Sequence, residues 1–211
     1  MRIKSLASAP DRAGRYRVIF EDDSVMRLYR QTVEDFGLYA GLQLSDEQMT
    51  KLREAAGEMS AKMRAVRIVA ASSVSKRDLE HRLVQKGEKP DQAKAAVEWM
   101  SEMSLLDDGK TAEQVVLRCI AKGYGRARAK QALYEKRIPK ELWEDVLADY
   151  PDQTNKIMEF LESRLVDGAS EKDVKRAIDA LLRRGHSYAA IRHAMREMAM
   201  DSHEFPEGEY G

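Results

Sequence analysis

The stretch Ser75-Lys-Arg-Asp-Leu79-Glu-His-Arg-Leu83-Val-Gln-Lys-Gly87 decides the fold, because its pattern returns twice further along the chain. Leu79, Leu83 and Gly87 superpose without gaps on Ala129, Leu133 and Arg137, and then on Ala177, Leu181 and Gly185, at offsets of 50 and 48 residues. Each copy is followed within three residues by a helix-starting residue, Pro90, Pro139 or Ser187, and nine or ten residues on by an apolar position, Val97, Val146 or Met195. Apolar residues four apart share one face of a helix. A glycine just past the last turn takes up a left-handed conformation that costs other residues about 1 kcal/mol. Arg137 breaks this pattern: either the second turn is built differently or its helix end is less tight. A period of this length marks repeat units that bury their apolar faces only by stacking.

Outward from this stretch, Gly, Pro, Ser and Asp divide the chain after residue 60 into nine helix-length segments, three to a repeat. They fall at 60–72, 75–86, 90–103, 110–122, 126–136, 139–149, 152–166, 171–184 and 188–200. Before them, Tyr16-Arg-Val-Ile-Phe20 and Val25-Met-Arg-Leu-Tyr29 alternate in character around Glu21-Asp-Asp-Ser24, with Asp22 and Asp23 as turn formers, which predicts a β-hairpin. A short helix from Gln31 to Phe36 should close at Gly37. Ser45-Asp-Glu-Gln48 has the form of a capping box, opening a helix that should run to Ala56 and stop at Gly57. The expected fold is mainly α: three tandem three-helix repeats at 59–106, 107–150 and 151–200, preceded by a hairpin-and-helix module over 1–58. An acidic tail over 201–211 has no periodicity and is read as disordered.

Charged residues make up 34% of the chain, yet 36 basic side chains balance 36 acidic ones, which argues against a protein that lives by wrapping nucleic acid. The balance is uneven. From Arg118 to Glu141 eight basic residues face two acids, with acid-rich stretches on either side. One cysteine, Cys119, excludes an intramolecular disulfide and a paired-cysteine zinc site and fits a reducing compartment. With no run of 18 apolar residues and no apolar core of a secretory signal near the start, the expected address is the cytoplasm, with no membrane contact.

No catalytic pattern survives inspection. There is no phosphate loop ending in Lys-Ser/Thr, no pair of histidines at metal spacing and no Gly-x-Ser-x-Gly elbow, so no enzyme activity, metal or cofactor is expected. His81 and His193 stand singly on helices, His186 lies in a turn and His203 in the tail. Cys119 reads as a buried, inert thiol, and Asp107 and Asp108 as helix caps. Trp99 and Trp143 read as packing between helices. In Lys122-Gly-Tyr-Gly-Arg-Ala-Arg-Ala-Lys130 a glycine-rich turn opens a helix, whose backbone N–H groups could accept an anion. Basic residues at that end oppose the helix dipole, which tilts the reading from a solvated face toward a partner surface. The candidate binding residues are therefore Arg118, Lys122, Arg126, Arg128 and Lys130, with Arg64, Arg67, Lys76, Arg77 and Arg82 of the first repeat. Tyr124 and Tyr134 lie in the basic stretch, where a ring either stacks on a base or partner or packs into the core.

Read together, these residues resemble the RecX family of recombination regulators over essentially the whole chain. Ser75-Lys-Arg-Asp-Leu79 through Leu83 and Lys86-Gly87 is similar to that family's Ser-x-x-x-Leu-x-x-x-Leu-x-x-Lys-Gly signature. Leu106-Asp-Asp108 with Ala112, Arg118 with Gly123-Tyr-Gly125 and Leu133, and Phe36-Gly-Leu38 with Gly41 resemble further elements. Thr111 replaces an aromatic residue and Arg137 the expected glycine. The resemblance implies an elongated, curved, monomeric molecule lying in the groove of the RecA filament on single-stranded DNA. It also implies that the protein modulates RecA ATP hydrolysis, strand exchange and co-protease action in the SOS response. The basic side chains add the expectation of a weak contact with single- or double-stranded DNA. The competing reading is a helical-repeat DNA-binding protein that acts without a recombinase.

Overall fold

The computed structural model describes residues 1–165 and 169–198; the tail read as disordered lies outside them. The chain forms two compact units, one covering Met1–Asp107 and a second beginning at Asp108. The fold is mostly helical, with ten α-helices among the described residues and one small sheet.

The first unit opens with an antiparallel sheet of β1 (Ile3–Leu6), β2 (Arg15–Phe20) and β3 (Val25–Tyr29), in that spatial order. The β2–β3 hairpin pairs Val18 with Met26 and Tyr16 with Leu28. In its turn, Asp22 accepts from the Ser24 N–H and hydroxyl at 3.1 and 2.6 Å, and Asp23 takes a left-handed φ of 60°. Strand β1 was not expected. It is short, irregular between Ile3 and Ser5, and held by long-range bonds such as Ile3 N–H to the Leu42 carbonyl at 2.9 Å. Helix α1 (Arg30–Asp35) closes at Gly37, whose φ is 55°.

Helix α2 (Asp46–Ala71) begins with both bonds of the capping box, Gln48 N–H to Ser45 Oγ at 3.1 Å and Ser45 N–H to Gln48 Oε1 at 2.9 Å. The break expected at Gly57 does not occur; one helix of 26 residues runs through it. A glycine inside a helix costs up to about 1 kcal/mol relative to alanine, and close packing here offsets it. A Cβ on Gly57 would come within 2.2 Å of Gln92 Nε2, so the residue makes room for a neighbour and does not end the helix. The N-terminal half of α2 sends Met49 and Leu52 into the core beneath the sheet, with Val18, Phe20 and Leu28. Its C-terminal half packs on α3 (Lys76–Gln85) and α4 (Pro90–Glu102), where Ala61, Ala65, Ala93 and Ala96 give the side-chain-poor contact that lets helices approach closely.

The second unit holds α5 (Asp108–Ala121), α6 (Arg126–Glu135), a 3-10 turn at Lys140–Leu142 leading into α7 (Trp143–Ala148), α8 (Thr154–Glu162), α9 (Glu171–Arg183) and α10 (Tyr188–Glu197). The segment expected as a helix over 139–149 is thus a tight turn plus a short helix. Trp143 Nε1 donates to the Ile138 carbonyl at 3.1 Å, folding the ring back under that turn. Trp99, by contrast, leans half-buried on the core of the first repeat.

Arg137 ends its helix as Gly87 and Gly185 end theirs. At the end of α3, Gly87 N–H bonds to the Val84 carbonyl at 2.9 Å and Glu88 N–H to Leu83 at 3.1 Å. At the end of α6, Arg137 N–H bonds to Tyr134 at 2.9 Å and Ile138 N–H to Leu133 at 3.0 Å; at the end of α9, Gly185 and His186 repeat the pair with Leu182 and Leu181. The second turn is built like the others, and Arg137 is simply forced to a φ of 54°.

Candidate functional site

In the second unit, the turn from α5 to α6 (Lys122–Gly125) lies back to back with the turn from α9 to α10 (Arg184–Ser187). Gly125 N–H donates to the Arg184 carbonyl at 2.9 Å, and Ala127 N–H to the Gly185 carbonyl at 3.3 Å. His186 Nε2 lies 3.0 Å from the Gly123 carbonyl, which can only accept, so this nitrogen carries the proton. Burial lowers the His186 pKa, so the ring sits there neutral. Tyr150 donates its hydroxyl to the Tyr124 carbonyl at 2.7 Å, and the Arg184 guanidinium lies 4.6 Å from the Phe160 ring centre. Both glycines are required by contact. A Cβ on Gly125 would stand 2.0 Å from the Gly185 oxygen, and one on Gly185 would stand 2.2 Å from the Arg128 nitrogen. The backbone donors expected to hold an anion at the start of α6 are therefore turned on carbonyls. That anion site is corrected to an interlock between two repeats.

The basic side chains of this stretch divide. Arg128 is half-buried and pairs with Glu135 at 3.0 Å, which raises the arginine's pKa and lowers the carboxyl's. Arg118, Lys122, Arg126 and Lys130 are exposed. Arg126, Lys130 and Tyr134, spaced by four, share one face of α6. Tyr134 does not pack into the core: it is 64% exposed, as is Leu117 on α5 at 62%. Tyr124, in contrast, packs against the buried cluster of α5 and α6.

In the first unit, Arg64, Arg67 and Arg82 come together around a cleft of about 410 Å³, joined by Arg15, Lys86 and Tyr29. Two of these arginines are held from behind by buried carboxylates. Arg64 Nε lies 2.8 Å from Glu88, which also accepts from Ser60 at 3.0 Å, while Arg64 Nη1 donates to the Lys86 carbonyl at 2.6 Å. Arg82 Nη2 lies 2.8 Å from Asp78. Arg67 donates from Nε to the Met63 carbonyl at 3.1 Å and from Nη2 to the Tyr29 hydroxyl. Arg15 pairs with Asp11 at 2.9 Å. No carboxylate lines the cleft. Lys76 and Arg77, exposed at the start of α3, do not line it. Sequence reasoning missed Arg15, Tyr29 and Lys86. Only Lys86 carried a local signal, its place beside Gly87, whereas Arg15 and Tyr29 arrive from the sheet.

Cys119 is buried, and burial pushes its thiol pKa up, away from nucleophilic use. Among the described residues no His, Cys, Asp and Glu cluster has metal-binding geometry, and no helix is long and apolar enough to cross a membrane.

The fold and these surfaces define a mostly helical protein that carries a small three-stranded sheet and exposes basic side chains in both units. The family model for the RecX second three-helix domain matches residues 107–147, the segment that contains the Gly123-Tyr-Gly125 turn. Curated relatives extend the match. The chain is 26% identical over 140 residues to the regulatory protein RecX of Vibrio parahaemolyticus serotype O3:K6, covering 65% of this chain and 90% of that protein. It is 28% identical over 147 residues to the RecX of Halorhodospira halophila, covering 68% and 91%. A solved regulatory protein RecX aligns over 92% of this chain and 98% of its own, with a TM-score of 0.63 at 17% identity. RecX from Lactobacillus salivarius aligns over 70% and 99%, with a TM-score of 0.59 at 21% identity. The chain is thus similar to RecX regulatory proteins over about two thirds of its length, and its residues 107–147 match the second three-helix domain of that family.

Proposed function

We propose that this protein regulates homologous recombination by binding the RecA filament on single-stranded DNA and limiting its ATP hydrolysis, strand exchange and co-protease action in the SOS response. The observation that carries this reading is a continuous match to RecX regulatory proteins across about nine tenths of their length. It acts without catalysis or cofactor, as a cytoplasmic monomer, through contact alone.

The exposed face of α6 supports the same reading. Arg126 and Lys130 supply positive charge and Tyr134 an exposed aromatic ring, and of these residue types arginine and tyrosine are enriched at binding surfaces. With Arg118 and Lys122 they would meet acidic filament surface and DNA phosphate. Because the net charge of the chain is +0, binding should weaken with salt less steeply than for a protein held by phosphates only. The test is single-stranded-DNA-dependent RecA ATP hydrolysis with and without this protein. Inhibition is expected; no response at several-fold molar excess would overturn the assignment.

A further inference from the structure

We infer that a groove on the second unit, beside the interlock of the two turns, is the docking site for this chain's own acidic tail, residues 199–211, and that the docked tail withholds Arg126 from other partners. The inference rests on the filament-regulator reading only for what that other partner is.

The groove has a volume of about 560 Å³ and lies where three helices begin, at the caps Gly125 of α6, Gln153 of α8 and Ser187 of α10. Ala127, Pro151, Ile157 and Ala190 give it apolar walls. Two polar features call for an occupant. Gln153 is only 9% exposed, and its Oε1 has no hydrogen-bond partner among the described residues, although a buried amide oxygen without a donor is costly. Arg126 is exposed in the lining and pairs with no carboxylate among the described residues. Asp152, the carboxylate of the lining, is turned on Thr154, whose N–H and hydroxyl donate to it at 3.0 and 2.8 Å.

Residues 199–211 supply what the groove lacks. They carry Asp201, Glu204, Glu207 and Glu209 with no Lys or Arg, and they set the apolar pair Phe205-Pro206 between two of these acids. Carboxylates on either side of an apolar pair complement an apolar groove with a guanidinium beside it, and the charges fix the register. The Phe205 N–H is a donor of the kind that Gln153 Oε1 lacks. Length permits the return. Met198 caps the end of α10, and Ala190 stands only ~12 Å back along the helix axis. Seven residues from Met198 to Phe205 span up to ~23 Å when extended. Between the two points α10 exposes Arg192, His193 and Arg196 against one acid, Glu197. A tethered segment meets its site at an effective concentration of about millimolar, so a weak contact is enough to dock it and a strong partner still displaces it.

The test is digestion of the full-length protein with a Glu-specific endoprotease, followed by intact mass. Cleavage after Glu204 and Glu207 is expected to run about tenfold slower than in a free peptide of residues 199–211, because it follows the population of the released tail. Arg126→Glu and Ala190→Glu should each restore most of the peptide's rate. Ala190 is the third residue of α10 behind the Ser187 cap, where a glutamate completes a capping box and keeps the helix intact. Because Ala190→Glu frees the tail and leaves Arg126 in place, it should also lower, several-fold, the protein concentration that half-inhibits RecA ATP hydrolysis. Cleavage of the parent at the peptide's rate would overturn the inference. So would slow cleavage that persists in both variants, protection that grows with protein concentration, which would put the tail on a second copy, or a released tail with unchanged half-inhibition. Failure of the parent to inhibit RecA refutes the regulator reading instead and leaves the digest unaffected.

Discussion

The interlock of the two turns can be broken by one methyl group. Gly125 has φ −75° and ψ 164°, which alanine adopts without strain, so Gly125→Ala acts through contact rather than backbone freedom. The new Cβ would lie 2.0 Å from the Gly185 oxygen, 2.3 Å from its carbon and 2.5 Å from the His186 nitrogen. Carbon contacts settle near 3.5 Å, so the two turns must part by more than about 1 Å. These are backbone atoms and no rotamer change relieves them. Parting them breaks the Gly125–Arg184, Ala127–Gly185 and His186–Gly123 hydrogen bonds. At about 1 kcal/mol each, the loss is about 3 kcal/mol. Gly87→Ala is the control: its φ is 91° and no atom lies within 4 Å of the added Cβ, so it should cost only about 1 kcal/mol. Trp99 lies in the first unit and Trp143 in the second, so Trp143→Phe and Trp99→Phe backgrounds let fluorescence follow each unit alone through urea unfolding. With a urea slope of about 2 kcal/mol per molar, Gly125→Ala should lower the Trp143 midpoint by about 1.5 M and leave the Trp99 midpoint unmoved. Equal costs for the two alanine variants would refute the interlock.

Three further outcomes are expected. Arg137→Gly removes a left-handed side chain at φ 54° and should stabilise the second unit by about 1 kcal/mol, read as a higher Trp143 urea midpoint. Burial lowers the His186 pKa from 6.5, so the unfolded chain takes the proton first. The stability from its neutral form is full above pH 6.5 and drains as pH falls through the folded value; the Trp143 midpoint should drop more between pH 7.5 and 5 in the parent than in His186→Gln. Arg64→Gln strands the buried Glu88 and should cost the first unit about 2 kcal/mol by Trp99 fluorescence, less than a fully buried pair because Arg64 is partly exposed.

The sequence determined the helices and their repetition, because those follow from spacing along one stretch of chain. Leu79, Leu83 and Gly87, with their two later copies, are local statements about one helix face and one helix end. The capping box at Ser45 and the hairpin turn at Asp22 and Asp23 are equally local, and all were legible. Strand β1 was not, since its pairing is with Val18 to Phe20 and Leu42, far away in sequence. Gly57 was misread for the same reason: a glycine looks alike whether it ends a helix or admits a neighbour such as Gln92. The basic residues show the limit most plainly. A count of charge singled out ten of them, but only tertiary structure gathered Arg64, Arg67 and Arg82 with Arg15 and Lys86 and left Arg126 and Lys130 on an open face, while Arg128 meets Glu135 two turns along its own helix. It also turned the start of α6 from an anion site into a joint, because the carbonyls that fill it come from a turn about sixty residues on. Helical periodicity is written in neighbours three and four apart; hydrogen bonds and ion pairs between distant segments depend on where the folded chain brings them together.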